Sequence, residues 1–175
     1  MLDAEGRQLG PDAFVPGYTQ VYVFEDGGRQ NGNPNVAGLL FDGQTRTADE
    51  TIEAGTCPIS VEDRRKAGRS APDEFAECTT LDVDVDVPDD VAGVDPDAFD
   101  TQGNQLSESV WVSYFSTGGD FQSQVKLVSD SAKGRVTSST VWVPPDEPGL
   151  YRIWAVVRDN RGGSTTVSNL VEVTE

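Results

Sequence analysis

The side chains that most often do chemistry are scarce in this chain. None of its 175 residues is a histidine. Nucleophiles of the Ser–His and Cys–His kind are therefore excluded, and two cysteines without histidine leave zinc short of ligands. Carboxylates are plentiful, with 30 Asp and Glu against 13 Lys and Arg. Five of them gather in "PDDVAGVDPDAFD": Asp89, Asp90, Asp95, Asp97 and Asp100. Calcium takes about six to eight oxygens from carboxylates, carbonyls and water, and such a loop can present them. Asp159 in the closing stretch is a further candidate ligand, but the spacing is not that of an EF-hand. The same residues equally suit a solvated acidic loop, because Asp favours turns. No Gly-rich phosphate loop is present: "STGGD" and "NRGGS" sit where hairpins turn rather than before helices. The expectation is a protein without catalytic activity and without a cofactor, calcium being the one candidate.

A second set of residues could bind rather than react. In "SVWVSYF", Val110, Val112 and Tyr114 alternate with Trp111, Ser113 and Phe115. In "YRIWAVV", Tyr151, Ile153, Ala155 and Val157 alternate with Arg152, Trp154 and Val156. If the valines face a core, Trp111, Phe115 and Trp154 face outward as a contact patch for a protein or a sugar ring. The competing expectation is that another segment of the chain lies over them. A third candidate is "EDRRKAGR", Glu62 to Arg69, the single basic cluster, which either docks an acidic neighbour or is a solvated loop. Trp142, beside Pro144 and Pro145, reads as packing at a sheet end.

Cys57 and Cys78 bound a polar stretch. Paired, they close a loop worth roughly 3 kcal/mol on the chain-entropy model and imply an oxidising, exported compartment. Unpaired, they are thiols of a cytosolic protein. "MLDAEGRQLG" carries no signal peptide, so the chain is either cytosolic or begins at a trimmed or mature start. No run of 18 apolar residues spans a membrane. The net charge of −17 repels nucleic acid and anionic lipid.

These residues must be positioned by strands. "LDVDVDV" places Leu81, Val83, Val85 and Val87 on one face and Asp82, Asp84 and Asp86 on the other, the pattern of a half-buried strand. "QVYVFE", "NVAGLLF", "QVKLV" and "VTSSTVWV" add further strands. Asp42-Gly43, Gly118-Gly119, Pro144-Pro145, Pro148-Gly149 and Asn160 to Gly163 punctuate them. Ser60 is placed to cap a short turn over Val61 to Ala67, and Pro72 to open another through Glu77. The 18 glycines and 10 prolines fit a loop-rich, two-layer antiparallel β-sandwich.

From Asn33 to Val173 the chain resembles bacterial immunoglobulin-like domains of the PKD type. The resemblance rests on the Asn-x-x-Pro opening in "NGNPNVAGLLFDG", the paired glycines ending "SVWVSYFSTGGDF", and the closing "TVWVPPDEPGLYRIWAVVRDNRGGSTTVSNLVEV". Two departures stand out. The cysteine-bounded stretch, about 44–78, is an insertion, and "AFDTQGNQ" replaces the compact Asp-Gly-Asp ending. The layout is similar to exported surface lipoproteins of Gram-negative bacteria. The resemblance implies an all-β, immunoglobulin-like antiparallel sandwich over 33–175 with a disulfide-closed insertion. Residues 1–32 form an N-terminal extension, read either as an extra edge strand or as the end of a preceding domain. The implied role is a non-catalytic binding or structural module of the periplasm, outer membrane surface or exterior. It would engage a protein partner or larger surface assembly and carry a lipid anchor in the full-length form. The alternative is a carbohydrate-binding or calcium-dependent adhesion domain.

Overall fold

The alternating Leu–Asp–Val run determines the first layer. In the computed structural model, which describes residues 23, 25, 27, 31–60, 62–64 and 77–175, Leu81, Val83 and Val85 are buried while Asp82 is exposed. The chain is all-β. Its strands among the described residues are β1 (Gly38–Phe41), β2 (Gln44–Arg46), β3 (Thr51–Gly55), β4 (Leu81–Asp86), β5 (Val94–Phe99), β6 (Gln105–Ser107) and β7 (Val110–Ser116). They continue as β8 (Asp120–Phe121), β9 (Val125–Asp130), β10 (Gly134–Arg135), β11 (Thr140–Val143), β12 (Gly149–Asp159) and β13 (Ser164–Thr174). Most of the strand expected over "YTQVYVFEDG", 18–27, lies outside the described residues, as does the turn expected from Pro72.

Two large sheets result. One is five-stranded in the order β2-β1-β4-β11-β8, the other six-stranded in the order β10-β9-β7-β12-β13-β3. Strands β5 and β6 form a separate antiparallel pair. The inner faces of both large sheets share one apolar cluster. Leu39, Phe41, Val83, Val85 and Trp142 come from the first sheet, and Val112, Tyr114, Ile153, Val157 and Val171 from the second. Each such valine or leucine stabilises the fold by about 1.5–3 kcal/mol on leaving water.

Local chemistry explains the tightest connections. Strands β1 and β2 pair with Phe41 opposite Gln44, so Asp42 and Gly43 alone make the turn, at φ values of 51° and 76°. That doubly positive turn is what Asp-Gly supplies. Strands β12 and β13 pair over ten positions, from Gly149 opposite Val173 to Arg158 opposite Ser164. The Asp159 carboxylate closes this hairpin by accepting the backbone N–H groups of Arg161 and Gly163, each at 2.8 Å.

The stretch 44–55, read from sequence as the start of the insertion, is instead part of both sheets. β2 adds to the first and β3 to the second, where β3 runs parallel to β13 with Val171 opposite Ile52. The crossing between sheets is pinned by the buried Asn169, whose Nδ2 donates to the carbonyls of Thr47 at 2.6 Å and Glu50 at 3.3 Å. Short alternation in "TIEAG" is enough for a strand once β13 offers an unpaired edge.

The two layers are also tied by one buried phenol. The Tyr114 hydroxyl donates to the Ser138 carbonyl at 3.1 Å and lies 3.4 Å from Asp84 Oδ1, which also accepts from Ser138 Oγ at 2.5 Å. Burial first, and then the Asp84 charge, push Tyr114 ionisation well above the usual phenol range. The unfolded chain releases this proton near pH 10 while the native state keeps it, so stability falls as pH rises past about 10. Tyr114→Phe should flatten that alkaline fall. Near neutrality it should cost about 1 kcal/mol through the lost hydrogen bonds. Denaturant unfolding across a pH series measures both, and equal alkaline slopes for the two proteins would count against this assignment.

Candidate partner-binding face

The register of β7, β12 and β9 decides which outward side chains meet. Val110, Val112 and Tyr114 point into the core, so Trp111, Ser113 and Phe115 face out. On β12, Ile153, Ala155 and Val157 are buried, so Arg152, Trp154, Val156 and Arg158 share the outer side. Trp154 stands opposite Phe115. Their rings stack with centroids 5.5 Å apart and planes inclined by 15°. Trp111 is brought to the same face but not to Trp154: it stands between Arg158 on one side and Leu127 on the other. The rung of Ser113, Val156 and Val125 separates the two tryptophans.

Around Trp111, Ser113 and Phe115 this face is apolar and cationic, and none of the side chains paired with them on β9 or β12 is a carboxylate. Phe115 and Leu127 are each 40% exposed and Val125 60%. The two arginines are oriented by neighbours: Arg152 Nη1 donates to Ser168 Oγ at 3.1 Å, and Arg158 Nη1 to Ser113 Oγ at 3.4 Å. On a chain of net charge −17, such a patch stands apart from its surroundings.

The disulfide-closed insertion goes to the other sheet. Cys57 and Cys78 are bonded. They pack on Val143, with Ile59 and Val141 beside them, and the Cys57 N–H donates to the Pro145 carbonyl at 3.0 Å. Val143 is opposite Asp120 in the β11–β8 pair. Arg64, from the basic cluster, is buried there, with Nη1 donating to the Ile59 carbonyl at 2.9 Å and Nη2 lying 3.5 Å from Asp120 Oδ2. The Ser60 cap is present, its hydroxyl accepting from the Asp63 N–H at 3.1 Å, but the helical turn is described only for Glu62 to Arg64. The described part of the insertion therefore covers the five-stranded sheet and leaves the Trp154–Phe115 face uncovered. The rest of the basic cluster and most of the N-terminal segment lie outside the described residues.

The five aspartates do not converge. Asp95 is buried, its Oδ1 accepting from the Asp97 N–H at 3.0 Å and its Oδ2 from Asn160 Nδ2 at 2.9 Å. Asp100 closes the β5–β6 turn, accepting from Asn104 Nδ2 and N and from Gln102 N, each at 2.8 Å. The Asn104 side chain, and then its backbone donor, hold this carboxyl below the usual range. Asp89 and Asp90 are exposed in a turn ahead of β5. Among the described residues no three His, Cys, Asp or Glu side chains form a group able to hold a metal ion.

Sequence reasoning did not single out the polar cluster at the closing hairpin. Glu108 is buried and meets Arg161 at 3.1 Å, while its second oxygen accepts the Gly93 N–H at 3.2 Å. Burial raises its carboxyl above the ordinary range against the pull of Arg161. A charge just ahead of an apolar strand, as in "SESVWV", was the available signal. No family model, curated protein or solved structure matches the chain. No helix among the described residues is long and apolar enough to cross a membrane.

Proposed function

We propose that this chain is a non-catalytic binding or structural module of the bacterial cell envelope or surface. Its scaffold is an immunoglobulin-like, PKD-like sandwich, and it acts through protein–protein contacts. The observation that carries the reading is the outer face of the six-stranded sheet, where stacked Trp154 and Phe115, Trp111, and serine-held Arg152 and Arg158 stand together with no carboxylate among their cross-strand partners on β7, β9, β12 and β13. Trp, Phe and Arg enriched and Asp, Glu and Lys depleted is the composition of an interface core, and Trp and Arg dominate binding energy at such sites. The Cys57–Cys78 bond supports an oxidising, exported setting.

The test is a photo-crosslinking side chain in place of Ser113, at the centre of the face, in cells that make the protein. One discrete protein adduct is expected, weakened by Trp154→Ser. Loss of adducts at Ser113 together with adducts from a probe at Thr45, on the other sheet, would sink the reading. The near-parallel Trp154–Phe115 pair also suits a sugar ring, which is the second reading. Tryptophan fluorescence that responds to glycans while crosslinking yields no protein would favour it.

A further inference from the structure

Asn31-Gly32 is the only Asn-Gly pair in the sequence, and it lies where the β12–β13 hairpin turns. Asn31 Nδ2 donates to Asp159 Oδ2 at 2.8 Å, and Arg161 Nη1 donates to Asn31 Oδ1 at 3.5 Å. The other Asp159 oxygen is occupied by the two N–H groups of the turn. The next residues continue the attachment. The Ser164 N–H donates to Asn33 Oδ1 at 3.1 Å, and Thr165 Oγ1 to the Pro34 carbonyl at 2.6 Å. The Asn31 amide thus latches the start of the described chain to its closing hairpin.

We propose that Asn31 is a site of spontaneous deamidation, and that the change opens this latch. The backbone nitrogen of Gly32 attacks the side-chain carbonyl carbon of Asn31. A carbon–nitrogen bond forms to Gly32, the bond to the side-chain nitrogen breaks, and that nitrogen leaves as ammonia, taking up the proton that Gly32 gives up. Water then opens the five-membered imide to aspartate or isoaspartate. The balance is one water in and one ammonia out, with no oxidant or cofactor. Gly32 suits the step because it is exposed and, among the described residues other than its chain neighbours, no atom lies within 4 Å of where a Cβ would stand.

The product reverses the chemistry of the latch. An amide donor becomes a carboxylate facing the carboxylate of Asp159. The neighbouring cation cannot offset this alone, since Arg161 is already shared with Glu108 at 3.1 Å. The attachment of Asn31 becomes a repulsion, while the Asn33 and Pro34 contacts hold the strand behind it.

Ageing the purified protein in warm, mildly alkaline buffer tests this by peptide mapping. The peptide carrying Asn31 should gain the mass of an amide-to-acid change and give an isoaspartate signal, ahead of Asn104 and Asn160. Gly32→Ala should fold normally and abolish the gain, because its methyl group obstructs the attacking nitrogen and meets no neighbour. Asn31→Asp should melt about 5 °C lower at neutral pH, a deficit that shrinks toward pH ~3–4 as the new carboxyl takes a proton. An unchanged Asn31 peptide, equal ageing of Gly32→Ala, or an Asn31→Asp protein that melts like the parent would each overturn the proposal.

Discussion

Trp142→Ala should lower the unfolding free energy by about 3–5 kcal/mol, the usual cost of deleting a buried aromatic side chain. Trp142 is fully buried on β11, and its indole Nε1 donates to the Gly118 carbonyl at 3.1 Å. The loop above it closes directly onto the ring. Gly119 sits at φ 73°, and a Cβ there would stand 2.4 Å from the Val143 carbonyl oxygen and 2.9 Å from the indole. Nothing nearby can collapse into the space an alanine would leave without moving that loop. For a chain of this length the melting temperature should drop by roughly 10–15 °C. Trp142→Phe retains most of the ring volume and should cost less, the remainder reflecting the unpaired Gly118 carbonyl. Denaturant and thermal unfolding measure both variants. An alanine variant within about 1 kcal/mol of the parent would show that the site relaxes, contrary to its packing.

Removing the Cys57–Cys78 bond by double substitution to alanine should cost about 3 kcal/mol. The bonded cysteines are 21 positions apart, and their sulfurs are the centre of a small apolar cluster on Val143. The effect should be local as well as global. Val141 and Val143 lose their cover, and Arg64 loses the frame that holds it beside Asp120. Proteolysis should then cut within 58–77 before the sheets open. The core cluster, which contains neither cysteine, should keep its hydrogen-exchange protection. A variant that unfolds as a whole, with no earlier cleavage in the loop, would mean that the insertion and sheets are a single cooperative unit.

These two sites differ in how visible they were. The cysteines announce a loop by their isolation in the sequence. Trp142, beside two prolines, reads from sequence as packing at a sheet end, and it is among the largest fully buried side chains, next to the last residue of β11. Its burial follows from the pairing of β11 with both β4 and β8, which puts Leu81 and Phe121 on either side of it. β8 is only two residues long, too short for any periodicity to reveal. Gly118-Gly119 was legible as a turn, but the reason for glycine there is the indole beneath it and the Tyr151 ring, 2.3 Å from where a Gly118 Cβ would stand.

The aromatic face shows the same division. Alternation alone assigns Trp111, Phe115 and Trp154 to the outward side, because successive side chains of a strand point to opposite faces. It does not say which of them touch. Pairing Trp154 with Phe115 rather than with Trp111 is a matter of register between β7 and β12, and sliding by one residue would have sent every side chain to the other face.

The amino-acid order by itself determined the β character of the chain, the inward and outward sides of its long strands, the Asp42-Gly43 turn, and the hairpin closed by Asp159. All of these are written within a few neighbouring residues. Only the tertiary structure decided that β3 joins β13 in parallel, that the described part of the insertion packs on the five-stranded sheet, and that Asn31 reaches Asp159 across 128 positions. Such meetings depend on how sheets stack and strands align, which contacts distant in sequence settle together and no local pattern encodes.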